Sequence, residues 1–173
     1  MPVYPPQNPQ NTVTANVILN PSFELGITGP SDQIFEWLGA GLNQSFLSTQ
    51  HHTGTHSILT IQMGACYQNF NNIPVANIPE LSYWTKCTGL PATHEATIII
   101  TYADLSTTSI NLVGNGDGNW HKIDVTANLN AGKSVAQVNF IGLNNDPLYL
   151  DDVTLTAPAN IPQPSPLFYP PQS

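Results

Sequence analysis

Short apolar runs of four to eight residues recur along the middle of the chain and are separated by Gly, Asn, Asp and Pro. The runs are rich in β-branched residues, which is typical of strands, and no window combines a helical period with capping residues. We therefore predict short strands at 12–19, 34–38, 45–48, 57–62, 65–71, 81–88, 96–103, 107–113, 120–126, 136–143 and 149–156. This pattern predicts an all-β fold, a two-sheet antiparallel jelly-roll sandwich with extended tails.

Proline divides the chain into three regions, because ten of its sixteen prolines fall within residues 1–10 and 158–173. We expect a Pro-rich N-terminal extension at 1–14, the sandwich at 15–157 and a Pro-rich tail at 158–173. Both ends repeat Tyr-Pro-Pro-Gln, through Tyr4, Pro5, Pro6 and through Tyr169, Pro170, Pro171. Such segments favour polyproline II, which can dock on a partner's groove. The alternative is a pair of low-complexity tails.

Charged residues are scarce and their balance restricts the classes of partner. Asp, Glu, Lys and Arg make up 8% of the chain, arginine is absent, and three lysines stand against eleven acidic residues for a net charge of -8. Nucleic acid needs many cations for binding, so that class is close to excluded, and anionic membrane surfaces are disfavoured. This balance suits bound cations or neutral partners such as sugars. An uncharged polar surface also packs against its copies with little repulsion.

Location is predicted only in outline. No stretch approaches the roughly 20 apolar residues of a membrane span. The first residues lack the basic region and apolar core of a signal peptide, so none is predicted in this numbering. We expect an extracellular or cell- or spore-surface protein, exported after removal of a signal or by another route such as lysis of a mother cell.

Cys66 and Cys87 are the two cysteines, and they fall in neighbouring predicted strands. A hairpin centred near Ala76 and Asn77 would place them opposite each other and allow one disulfide. Two buried thiols are the equal alternative, because two cysteines alone do not decide the redox compartment.

Motifs for catalysis and transition metals are weak. Gly-x-Ser-x-Gly is absent and no acidic pair stands in a recognisable glycosidase motif, so no enzymatic activity is predicted. His52 and His56 have the i, i+4 spacing that binds zinc on a helix, with His51 beside them. Their segment is predicted to be a turn entering a strand, which favours exposed loop histidines. The Asn-Gly-Asp run ending at Asp117 is interpreted as an ordinary turn rather than half of a calcium loop.

Six short motifs, in order, carry a resemblance to a known family. They are Asn-Pro-Ser-Phe-Glu at 20–24, His-Thr-Gly-Thr-His-Ser at 52–57, Tyr-Gln-Asn-Phe at 67–70, Leu-Ser-Tyr-Trp-Thr-Lys at 81–86, Gly-Asn-Trp-His-Lys at 118–122 and Leu-Asp-Asp-Val at 150–153. Residues 15–157 resemble the carbohydrate-binding-module and galactose-binding-like β-sandwich family. Pro79 departs from that pattern, since the family usually has an aromatic residue there.

The resemblance implies specific roles for several residues. It implies a structural calcium ion held between Glu24 and the pair Asp151 and Asp152, a chemistry that suits calcium because the ion takes six to eight oxygens. The alternative is that these carboxylates are solvated or cap a strand. It also implies that Trp37, Trp84 and Trp120 are core aromatics.

Two functions are consistent with these observations, and we first favour a structural one. In the first, the sandwich is the non-catalytic subunit of a surface fibre or layer, joined to its copies through the tails. In the second, the domain is a free-standing, lectin-like glycan-binding module. Its candidate ligand-contacting residues would be Tyr67, Gln68, Trp84 and Tyr102.

Overall fold

The chain forms a sandwich of two antiparallel sheets, which confirms the predicted all-β class. The computed structural model describes residues 13–28, 33–34, 36–39, 45–60, 63–87, 94–113, 116–143 and 148–161. Its strands are β1 (Thr14–Asn16), β2 (Ile27–Thr28), β3 (Gln33–Ile34), β4 (Ser45–Ser48), β5 (Ser57–Thr60), β6 (Ala65–Pro74), β7 (Glu80–Cys87), β8 (His94–Tyr102), β9 (Thr107–Val113), β10 (Trp120–Asp124), β11 (Ser134–Gly142) and β12 (Leu148–Pro158). Two 3₁₀ turns, Val75–Asn77 and Thr126–Asn128, link strands.

The two sheets differ in size and order. The six-stranded sheet runs β10-β7-β12-β5-β4, with β1 also paired to β12. The four-stranded sheet runs β6-β11-β8-β9, and β2 and β3 form a small separate ribbon. The N- and C-terminal parts of the domain meet in the β1–β12 pair, where Thr14 lies opposite Pro158. The described part of the chain contains no helix long and apolar enough to cross a membrane.

The core lies between the sheets and follows the two-residue period of the strands. In β8, Ile98, Ile100 and Tyr102 are completely buried, while the threonine and isoleucine side chains between them are half-buried. In β12, the side chains of Leu150, Val153 and Leu155 point into the core. The inward positions are even-numbered up to residue 150 and odd-numbered from residue 153, and this shift marks a bulge in the pairing of β12 with β7. The bulge contains two adjacent aspartates, Asp151 and Asp152, next to Trp84 in the middle of β7.

The predicted hairpin between the cysteine strands is wrong. β6 and β7 are joined by the 3₁₀ turn at Val75–Asn77, but they belong to opposite sheets, β6 pairing with β11 and β7 with β10 and β12. Each strand has its apolar positions on the inner face of its own sheet, so the connection crosses over the core. Cys66 and Cys87 are both buried, reduced thiols.

The predicted first strand is longer than the observed one. Pairing of β1 ends at Asn16, because Val17 and Ile18 are both buried and two consecutive inward side chains break the alternation of a strand. The chain instead turns towards the four-stranded sheet. There the Leu19 N–H donates to Gln68 Oε1 at 3.0 Å, and Gln68 Nε2 donates to the Leu19 carbonyl at 2.6 Å.

Gln68 therefore fastens the N-terminal segment to β6, and it is almost completely buried. We expect Gln68→Leu to lower the free energy of unfolding by about 2 kcal/mol or more, because two backbone groups of Leu19 lose their partners inside the protein. Urea denaturation followed by circular dichroism measures the change. Gln137→Leu, on the outer face of the same sheet, is the matched control and should cost less than about 1 kcal/mol. Equal losses for the two variants would contradict the role of Gln68.

Candidate functional site

The Asn-Pro-Ser-Phe-Glu motif forms a tight turn built around two residues with positive φ, Asn20 at 48° and Phe23 at 58°. The Phe23 N–H donates to the Asn20 carbonyl at 3.2 Å, and the Phe23 ring is buried against Trp37 at a centroid distance of 5.1 Å. The Trp37 indole N–H donates to the same Asn20 carbonyl at 3.0 Å. Trp37 is thus a core aromatic, and the buried ring of Phe23 leaves the adjacent Glu24 exposed.

The Asn-Pro-Ser-Phe-Glu turn at 20–24 contacts the Leu-Asp-Asp-Val motif at 150–153. The Val153 N–H donates to the Pro21 carbonyl at 3.0 Å, and Ser22 Oγ donates to Asp152 Oδ1 at 2.6 Å. Asp152 adopts a positive φ of 44° within the β12 bulge. The turn at 20–24 and the bulge at 151–153 thus form one unit.

Glu24 binds the loop of residues 49–56, which connects β4 to β5. Its Oε1 accepts from the backbone N–H groups of Thr55 at 2.9 Å and His56 at 2.8 Å, and its Oε2 accepts from Thr55 Oγ1 at 2.6 Å. Gly54 permits this approach, since it has φ +65° and a Cβ there would lie 2.4 Å from Glu24 Oε1. Burial raises the pKa of Glu24, but the hydrogen bonds from Thr55 and His56 outweigh it and lower the pKa from 4.5 to about 2.

The two aspartates bind the same loop from β12. Asp151 is completely buried, and its Oδ2 accepts from the N–H groups of His52 at 2.7 Å and Thr53 at 3.2 Å. Burial raises its pKa in spite of these bonds. Asp152 Oδ2 lies 2.7 Å from His52 Nδ1, and its Oδ1 accepts from Thr53 Oγ1 at 2.6 Å. Burial also acts to raise the pKa of Asp152, but hydrogen bonds from His52, Ser22 and Thr53 give a net lowering.

The carboxylates proposed for calcium are thus occupied by donors from the protein. Every oxygen of Glu24 and Asp151 accepts an N–H or O–H, since Asp151 Oδ1 also receives the Asp152 N–H at 2.7 Å. Among the described residues no group of three or more His, Cys, Asp or Glu side chains is placed to share a metal ion. Glu24 Oε2 and Asp151 Oδ1 each accept one of these hydrogen bonds and keep a second lone pair, and calcium stays a prediction.

The three histidines of the loop have separate surroundings. His51 is exposed, His52 contacts Asp152, and His56 Nδ1 lies 2.8 Å from Thr55 Oγ1 and 3.6 Å from Glu24 Oε2. The loop is not helical, so the i, i+4 spacing does not bring His52 and His56 to one ligand set.

The four residues predicted to contact a glycan do not converge. Tyr102 is completely buried, and its hydroxyl receives the Asn130 N–H at 2.9 Å and lies 3.0 Å from Thr108 Oγ1. Gln68 points into the core, where it binds the backbone of Leu19 as described above. Tyr67 is on the outer face of the four-stranded sheet, and Trp84 is on the outer face of the six-stranded sheet.

The outer face of the four-stranded sheet is uncharged and mostly polar where the structure describes its side chains. The register aligns Tyr67, Asn139, Ile99 and Ser109 in one row across the four strands. A second row contains Asn69, Gln137, Thr101 and Thr107, and a third contains Ile141, Thr97 and Asn111. We call this surface the amide face.

Hydrogen bonds order the outer rows of the amide face and leave an acceptor in the middle row. Gln137 Nε2 donates to Asn69 Oδ1 at 2.9 Å, and Thr97 Oγ1 donates to Asn111 Oδ1 at 3.4 Å. Asn139 Oδ1, beside Tyr67, is buried and has no hydrogen-bond partner among the described residues. Buried acceptors are normally satisfied, so this oxygen is an exception on the amide face. Its position in the sequence carried no signal that distinguished it from the other asparagines.

The remaining two tryptophans are not core residues, contrary to the prediction. Trp84 on β7 and Trp120 on β10 are half-buried on the outer face of the six-stranded sheet. The His52 ring stacks on Trp84 with centroids 3.7 Å apart and planes 14° apart, and it lies 5.9 Å from Trp120. The alternation of β7 explains the error, because inward Tyr83 takes the core position next to Trp84.

No protein-family model and no curated protein matches the sequence. Solved structures match its fold. One is TmCBM61 in complex with β-1,4-galactotriose, at TM-score 0.54 and 18% identity over 82% of this chain and 97% of that chain. Another is the CBM22-1 xylan-binding domain of Paenibacillus barcinonensis Xyn10C, at TM-score 0.53 and 14% identity over 79% and 90% of the two chains. The chain has the β-sandwich fold of carbohydrate-binding modules, which confirms the resemblance.

The same fold also occurs within a larger, catalytic protein. The enzymatically active domain of bacteriophage CBA120 tailspike protein 4 matches 82% of this chain at TM-score 0.54 and 13% identity, and 21% of that chain is covered. The fold alone therefore does not separate binding from catalysis, and the side chains must decide.

The assembly hypothesis depends on parts of the chain that lie outside the described residues. Tyr4, Pro5 and Pro6 belong to residues 1–12, and Tyr169, Pro170 and Pro171 belong to residues 162–173. Self-assembly stays a prediction.

The lowered pKa of Glu24 predicts a loss of stability in acid. A carboxyl whose pKa is lower in the folded chain contributes stability above its unfolded pKa, near 4.5, and loses that contribution as the pH falls towards 2. We expect Glu24→Gln to lower the thermal midpoint at pH 7 and to flatten its decline between pH 4.5 and 2. Thermal denaturation across this range tests it, and a decline as steep as that of the wild type would contradict it.

A calcium ion between Glu24 and Asp151 would show in the thermal midpoint. A ligand that binds only the folded chain raises stability by mass action. If the resemblance extends to calcium, millimolar calcium raises the midpoint of the wild type above that in chelator and leaves Glu24→Gln unaffected. Equal midpoints of the wild type in calcium and in chelator would refute the calcium site.

Proposed function

We propose that this domain is a glycan-binding module that binds neutral oligosaccharides on the amide face. The observation that carries the proposal is the row through Tyr67 and Asn139, where an aromatic ring stands beside a buried, unsatisfied amide oxygen. The fold shared with carbohydrate-binding modules supports the proposal, and two of those matches are described as bound to β-1,4-galactotriose and as xylan-binding.

The chemistry of the amide face suits a neutral sugar. Sugars present hydroxyl groups as donors and acceptors, and side-chain amides offer both on one group. An aromatic ring packs against the apolar C–H face of a pyranose, and a few polar groups fix its orientation. The described side chains of this face carry no charge, so a neutral ligand needs to displace no ion pair.

The roles of the two central residues follow from this geometry. Tyr67 is half-buried on β6, and the isolated bridge between its backbone and Leu38 holds the start of that strand at the edge of the sheet. Asn139 lies between Tyr67 and Ile99, and its half-buried amide would turn outward to accept from a sugar hydroxyl. Ile99 and Ile141 add apolar area to the floor of the face.

Substitution of these residues tests the proposal with β-1,4-galactotriose and xylooligosaccharides as probes. We expect Tyr67→Ala to weaken binding at least about tenfold, because a packed aromatic ring contributes about 1.5 kcal/mol or more. Asn139→Ala should weaken binding as well, with a change in unfolding free energy of less than about 1 kcal/mol, because its oxygen has no partner to lose. Isothermal titration calorimetry and urea denaturation measure the two quantities.

Phe46→Ala is the matched control, since it removes an aromatic ring that is 38% exposed on the other sheet. It should bind neutral oligosaccharides as the wild type does. Wild-type affinity in Tyr67→Ala, or an equal loss in Phe46→Ala, would show that the amide face is not the site.

A further inference from the structure

The outer face of the six-stranded sheet carries a row of large side chains that the amide face lacks. The register aligns Phe46 on β4, Leu59 on β5, Tyr149 on β12, Lys86 on β7 and Trp120 on β10. Residues directly opposite one another in paired strands share a face of the sheet. The row therefore places a lysine between two aromatic residues, and we call its Tyr149–Lys86–Trp120 part the aromatic row.

The loop of residues 49–56 fixes the aromatic surroundings of Lys86. Trp84 lies two residues before Lys86 on the same face of β7, and His52 stacks on it. Asp152 holds His52 Nδ1, so the ring has one orientation next to Trp120. Gln50 Nε2 donates to the Tyr149 hydroxyl at 3.1 Å. These bonds organise the surface before any ligand arrives.

One lysine of the aromatic row forms no ion pair with a described side chain. Lys122 contacts Glu80 at 2.8 Å, and Lys133 contacts Asp104 at 3.1 Å. In the part of the chain that the structure describes, Lys86 alone of the three lysines has no carboxylate partner. Asp151 is paired in the register with Trp84 and not with Lys86, and it is buried and bonded to backbone N–H groups.

The other acidic groups around this face are also engaged. Asp152 accepts from Ser22, Thr53 and His52, and Asp124 accepts from the N–H and hydroxyl of Thr126. These bonds satisfy the carboxylates but do not remove their charge. The suitability of Lys86 for an acidic ligand therefore rests on its lack of an ion pair among the described residues, and not on the local net charge. At physiological salt the more distant carboxylates are screened beyond about 8 Å.

We propose that the aromatic row is a second glycan-binding site, on the sheet opposite the amide face, that binds acidic sugars such as uronic acids. Trp120 packs against the C–H face of a pyranose ring, and the Lys86 ammonium pairs with its carboxylate. A charge-assisted bond of this kind distinguishes an acidic sugar from its neutral counterpart. The site is independent of the neutral-sugar site in position and in ligand.

Titration with oligogalacturonides and with neutral β-1,4-galacto-oligosaccharides separates the two sites. We expect Lys86→Gln to weaken binding of the acidic oligomer at least about tenfold and to leave binding of the neutral one unchanged. Lys86→Arg should retain the acidic oligomer, and Trp120→Ala should lose it. Lys133→Gln makes the same change of net charge at a distant position and should bind as the wild type does.

The results distinguish failure of this proposal from failure of the neutral-sugar site. If Tyr67→Ala removes both ligands while Lys86→Gln removes neither, a single site exists on the amide face and the second site is refuted. If the wild type binds neutral and not acidic oligomers, the aromatic row is likewise refuted and the proposed function stands. If acidic oligomers bind in a Lys86-dependent way and neutral ones do not bind, the second site stands and the amide-face proposal fails. Thermal denaturation shows that each variant is folded.

Discussion

The carboxylates that the structure describes are satisfied mainly by N–H and O–H donors, because the chain has eleven acidic residues against three lysines and no arginine. Glu24, Asp151 and Asp152 are the central case. They bind one loop from two sides, and through it they connect the turn at 20–24 to the bulge of β12. Hydrogen bonds of this kind are short-range and directional, so the position of the loop is defined by geometry rather than by net charge.

The architecture could be predicted from the sequence because its strands have a strong two-residue period. The predicted strand pairing was wrong where neighbours in the sequence are not hydrogen-bonded neighbours in the sheet. Sequence adjacency suggested a hairpin between β6 and β7, yet both strands find their hydrogen-bond partners elsewhere, β11 for one and β12 and β10 for the other. Strand pairing is a property of the whole sheet, and a turn such as Val75–Asn77 can equally close a hairpin or cross the core.

The site residues were harder to predict than the fold for a related reason. Tyr67 and Trp84 could be chosen as ligand-contacting candidates because they are aromatic. A shift of one residue along a strand moves a side chain to the other face of the sheet, however, so residue type alone does not tell which face it is on. Tyr102 was predicted to contact a ligand but points into the core, whereas Trp84, which the resemblance placed in the core, lies on an outer face. Asn139 could not be singled out at all, because an unpaired oxygen becomes apparent only when its neighbours are in place. The two outer faces that result are chemically different, one of amides and hydroxyls and one of aromatic rings around a lysine.

The buried cysteines have a consequence for how the folded state can be followed. Burial raises the pKa of the Cys66 thiol, and each thiol lies on the inner face of a different sheet. A thiol reagent needs both access and thiolate, so the Cys66 sulfur reacts only when the sheets separate. The rate at which a coloured reagent is consumed therefore counts openings of the sandwich. The native Cys66 thiol therefore reports opening of the sandwich without any engineered label.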